Sequence, residues 1–131
     1  MPSKAKLFLF YYYKSIIVFF LILFASTIPA NEVEKVSWFS IPNLDKLIHL
    51  GMYFLLTFVM IYDKLKIKPE KSFKNIILIS GIFSISIGGI LEILQTYLTS
   101  SRSGEFLDFL FNTAGAVCAI LLWSIVRKPK L

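Results

Sequence analysis

Four apolar runs decide what this chain can fold into. Residues 7–30 read LFLFYYYKSIIVFFLILFASTIPA, with Lys14 the one charge, and comparable runs begin near residues 45, 73 and 106. A helical span of a bilayer needs about 20 mostly apolar residues. The runs therefore predict membrane helices over about 8–29, 45–62, 73–98 and 106–126, leaving no room in 131 residues for a separate soluble domain. With 56% hydrophobic residues and a mean hydropathy of +0.73, a soluble fold would expose far too much apolar surface. The expected fold class is all-α: one integral membrane bundle of four transmembrane helices spanning residues 1–131. Cys118 is the single cysteine, so no disulfide framework is expected.

The charges orient that bundle. Eleven of the fourteen Lys and Arg residues fall in the N-terminal region, the connector from Asp63 to Lys74 and the C-terminal tail. Six of the eight acidic residues fall on the other side. Positive charge collects on the cytoplasmic side, which predicts cytoplasmic N- and C-termini and agrees with an even number of spans. The net charge of +6 is thus a topological signal and an attraction to anionic membrane lipids, and no nucleic-acid partner is expected. Lys4 and Lys6 before an apolar core also fit a cleaved signal peptide. Ile28 and Pro29 before Ala30 make a poor cleavage site, so a retained helix ended by Pro29 is the reading adopted.

Polar residues inside these runs are spaced in order. In GGILEILQTYLTSSRSGEFLDFLFNTAGA (residues 88–116), Glu92 and Gln95 share one helical face, as do Asp108, Asn112 and Gly115. A short turn holding Arg102 joins the two helices, which places both faces at one end. Asp45, His49, Tyr53 and Thr57 recur every four residues down the second span, and Asp45, Lys46 and His49 start it at that same end. Ionisable groups at membrane depth are expensive, so each is a candidate functional residue.

Each residue also has a plainer reading. Asp45 suits an N-cap and His49 an interfacial hydrogen bond. Glu92, reached through the small residues Ser80, Ser84 and Gly88, can be an ion-pair group that ties the bundle together. Asn112, Gly115 and Ala119 suit close helix packing. Arg102 is either an anion clamp, since a guanidinium grips phosphate or carboxylate in bidentate fashion, or an interfacial anchor. His49, Asp45, Glu92 and Asp108 make a metal site conceivable, but one His among carboxylates singles out no ion, so no metal and no cofactor is expected.

The ordered set Asp45-Lys46-x-x-His49-x-x-x-Tyr53, Glu92-x-x-Gln95, Arg102-Ser103 and Asp108-x-x-x-Asn112-Thr113-x-Gly115-Ala116 resembles the VanZ-like family over about residues 45–126. Ala119 stands where relatives often have a second glycine. The resemblance implies a small bacterial membrane protein of the cell envelope, and its name-giving member is linked to resistance against teicoplanin. It brings no settled biochemical activity.

Two functions follow as expectations. In the first, an outward-facing pocket binds an anionic, amphiphilic envelope molecule such as a lipid-linked precursor or a glycopeptide-type drug. Lys46, Tyr53, Gln95, Arg102 and Asn112 would make the binding contacts. In the second, a membrane-embedded enzyme acts on a lipid-linked head group, with Asp45, His49, Glu92 and Asp108 as the catalytic candidates. A proton-coupled transporter fits less well, because the polar residues gather near one mouth. Oligomeric state is not legible in the residues.

Overall fold

The structure, a computed structural model, describes residues 1–67, 72–98 and 104–127. Its elements are α1 (Lys4–Thr27), a short α2 (Ala30–Glu34), a 3-10 turn (Ser37–Ser40), α3 (Leu44–Ile67), α4 (Phe73–Leu98) and α5 (Phe106–Val126). The described residues contain no strand, and four of the helices are long and apolar enough to cross a membrane. The chain is an all-α, multi-pass membrane protein.

Two helices outrun their apolar pattern. α1 begins at Lys4, where the Ser3 hydroxyl caps it by accepting from the Lys6 amide at 3.3 Å. α3 continues past residue 62 to Ile67, because nothing in Asp63-Lys64-Leu65-Lys66 breaks a helix and its lysines suit the negative end of the dipole. The segment between α1 and α3 contains α2 and the 3-10 turn. Asn43, at φ 62°, then turns the chain into α3; a short polar side chain tolerates this left-handed conformation.

α3 is the centre of the bundle, packed against α1, α4 and α5, and its contact with α5 is the most extensive. Gly115 makes that approach possible: a Cβ there would run into the Leu50 carbonyl. The interior is more polar than the exterior. Thr57, Ser80, Ser84 and Asn112 are fully buried, while Ile82 and Ile93 on α4 are more than half exposed. This inversion suits helices whose outer faces meet lipid chains rather than water.

The chain order fixes which helix ends meet. Gln95 Nε2 donates to the Ser26 carbonyl at 3.2 Å, bringing the end of α4 to the end of α1. The start of α3 and the start of α5 gather at the same end. At the opposite end the Arg127 guanidinium lies 5.0 Å from the Phe73 ring centre, joining the end of α5 to the start of α4.

Candidate functional site

Three helix termini build the polar cluster. α3 contributes Asp45, Lys46 and His49 from its first two turns, α4 contributes Glu92 near its end, and α5 contributes Asp108 and Asn112. Glu105, immediately before α5, joins them. Gly104 keeps α4 and α5 close at this point: its amide donates to Thr96 Oγ1 at 3.0 Å, and that hydroxyl donates to the Glu92 carbonyl at 3.1 Å. A Cβ at Gly104 would collide with the same carbonyl.

Asn112 is the hub. It is fully buried, and its Nδ2 donates to Glu92 Oε1 at 3.2 Å. Its Oδ1 lies 2.9 Å from His49 Nδ1, and because an amide oxygen only accepts, Nδ1 must carry the proton. Nε2 then faces Asp108 Oδ2 at 3.8 Å, and Nδ1 stands 3.6 Å from Glu92 Oε1. Glu92 and His49 are 8% and 6% exposed, far below what unpaired ionisable groups usually permit. Tyr53, buried one turn below His49, packs its ring against Gly88, and Gly88 also faces Asn112.

Lys46 is occupied within the protein. Its ammonium lies 3.1 Å from Asp45, 3.2 Å from Glu105 and 3.6 Å from Asp108. Four carboxylates therefore share this cluster with one lysine and one histidine. Two of their oxygens, Glu92 Oε2 and Asp108 Oδ1, are buried and accept no hydrogen bond. A nitrogen of His49 and one carboxylate oxygen each from Glu92 and Asp108 lie within 4.8 Å of one another.

A cavity of about 90 Å³ reaches His49 and Asp45 from the α1 side, between Ser26, Met52 and Gln95. A water occupies roughly 10–15 Å³ on this measure and a drug-sized ligand some 300–1,000 Å³. The cavity thus takes a few waters or one small polar group.

The structure brings together Asp45, Lys46, His49, Glu92, Asp108 and Asn112, with Tyr53 beneath them and Gln95 across the cavity. Arg102 lies outside the described residues. Glu105 was assigned no role by its spacing, although it stands three residues before Asp108 and so one turn away at the same helix end. A second polar pair went unread altogether. Asp63, 3% exposed on α3, accepts from both the amide and the hydroxyl of Ser15 on α1, at 3.2 Å and 2.7 Å.

The protein-family comparison agrees with this architecture. The family model described as VanZ/LLP1 matches residues 8–127, nearly the whole chain. No curated protein and no solved structure matches it significantly. The chain belongs to the VanZ/LLP1 family.

Proposed function

We propose that this family member resides in the bacterial cytoplasmic membrane with both termini inside, and that its polar cluster faces outward and acts on the head group of an amphiphilic envelope molecule. The charge count supports the orientation, since eleven of fourteen basic residues lie away from the cluster. The observation that carries the chemistry is the His49–Asn112–Glu92 relay, which fixes the imidazole tautomer beside Asp108. An imidazole with one committed nitrogen and one bare nitrogen, set against two carboxylates, is equipped to move a proton at a substrate oxygen.

In this reading His49 is the acid–base residue, Asn112 holds its tautomer, and Glu92 and Asp108 stabilise its charged form. Gln95 and Arg102 contribute to binding, Tyr53 supports the cluster from beneath, and the small cavity admits a water or part of a head group rather than a whole drug. The alternative is a binder of anionic amphiphiles without chemistry. It needs surplus positive charge, whereas Lys46 is shared among three carboxylates. A link to glycopeptide resistance would then be a consequence of altered envelope precursors.

The test is complementation in a strain lacking the protein, with membrane levels checked. His49→Gln and Glu92→Gln are expected to reach wild-type levels yet lose the effect on lipid-linked precursor pools and on glycopeptide susceptibility. Retention of both effects by His49→Gln would leave binding as the function and remove the acid–base reading.

A further inference from the structure

We infer that His49, Glu92 and Asp108 form a binding site for one divalent transition-metal ion. Asn112 commits Nδ1 of His49 as a donor, which leaves Nε2 facing Asp108 Oδ2, 3.8 Å away. Glu92 Oε2 is buried in the same place with no donor, in a side chain nine-tenths buried. Lys46 does not relieve it, because that ammonium is already divided among Asp45, Glu105 and Asp108. Buried ionised oxygens without a partner are costly, and a hydrogen-bond donor or a cation offsets that cost.

A proton is one such cation and a metal ion the other. A proton on Nε2 would supply a donor toward Asp108, and relieving Glu92 Oε2 would take a second proton on that carboxylate. An ion between the three residues serves all of them. One nitrogen of His49 and one carboxylate oxygen each of Glu92 and Asp108 lie within 4.8 Å of one another. Ligands on one ion at 2.0–2.2 Å stand no more than about 4.4 Å apart, so the three close on it with side-chain shifts of under an ångström or so. One imidazole and two carboxylates suit zinc, manganese or ferrous iron better than calcium or magnesium. Asn112, donating to Glu92 and accepting from His49, occupies the place of the outer partner that orients metal ligands. Three protein ligands leave a position open for water or a head-group oxygen, as in catalytic rather than structural sites. The inference stands without the head-group reading and revises one part of it: with an ion on Nε2 and Asn112 on Nδ1, His49 has no nitrogen left to move a proton, and a water on the ion would take that role.

The test uses the full chain in nanodiscs, purified through a histidine-free tag, stripped with a chelator and returned to zinc. Elemental analysis after gel filtration should find one zinc per chain, and cobalt in its place should give visible absorption distinct from the aqueous ion. Glu92→Gln and Asp108→Asn should abolish both signals. Asn112→Ala should weaken zinc binding about 10- to 100-fold. Cys118→Ser should bind as wild type does, since this exposed thiol is the one competing soft ligand. A wild-type chain that retains no zinc overturns the proposal, as does zinc retained by both carboxamide variants or lost with Cys118. If the carboxamide variants fail to fold, the wild-type cobalt spectrum decides alone. These readouts are metal content and absorption, so a failed metal test leaves the precursor-pool test intact, and the reverse.

Discussion

Asp63 and Glu92 are both carboxylates inside a bundle of apolar helices, 3% and 8% exposed, near opposite ends of the same small molecule. Asp63 takes two hydrogen bonds on a single oxygen from Ser15, which clamps α1 to α3. Glu92 takes a side-chain bond from Asn112 on Oε1, while its Oε2 is buried with no close donor, and the buried Oδ1 of Asp108 has only the Lys46 ammonium, 3.6 Å away. The nearby cations are His49, charged only when protonated, and Lys46, already engaged by three carboxylates. On the function proposed above, the difference separates two uses of an expensive group. A carboxylate whose bonds are completed by its own protein stabilises the fold, whereas one left incomplete holds a binding capacity that the fold does not consume.

The largest expected effect tests the frame that both ends share. Gly115→Val places a side chain against the Leu50 carbonyl at the closest approach of α3 and α5, and should leave little folded protein in the membrane. A normal membrane level for this variant would mean that the two helices do not cross there.

The next effect breaks the comparison on the functional side. Glu92→Gln should lower activity on envelope precursors by about 10²–10⁴-fold, the range of a positioned acid–base system, while Asp63→Asn should leave it near wild type. Precursor pools measured at matched membrane levels check this, and equal losses in the two variants would erase the distinction.

The stability side runs the other way. Asp63→Ala strands the buried Ser15 hydroxyl and should cost about 1.5–3 kcal/mol, read from reversible unfolding in detergent or by steric trapping in bicelles. Ser15→Ala should cost less, about 1 kcal/mol, because the Ser15 amide still serves Asp63. The two changes should combine to less than their sum, and full additivity would show that the clamp does not act as a pair.

The contrast also marks what was legible in the residues. The spans of α4 and α5 follow directly from the apolar runs, and the four-residue steps place His49 with Tyr53, and Asp108 with Asn112, on shared helical faces, of which His49, Tyr53 and Asn112 are buried while the Asp45 side chain is 43% exposed. Periodicity reports one helix at a time, and the short α4–α5 connection supplies the neighbour. The Ser15–Asp63 clamp has neither aid. Its partners lie 48 residues apart on helices joined by a long connection, and Asp63 reads as one more charge in a basic connector. The engagement of Lys46 was hidden for a similar reason: spacing shows a lysine beside Asp45, but only packing brings Glu105 and Asp108 to the same ammonium.

The most direct measurement is the unfolding free energy of Glu92→Gln against wild type, both stripped of divalent ions and in the same bilayer mimic. If the outer carboxylates are held for function, the substitution removes an uncompensated charge and stability stays within about 1 kcal/mol of wild type or rises. A loss as large as that of Asp63→Ala would mean that Glu92 holds the bundle together, and the functional account of the cluster would fall with it.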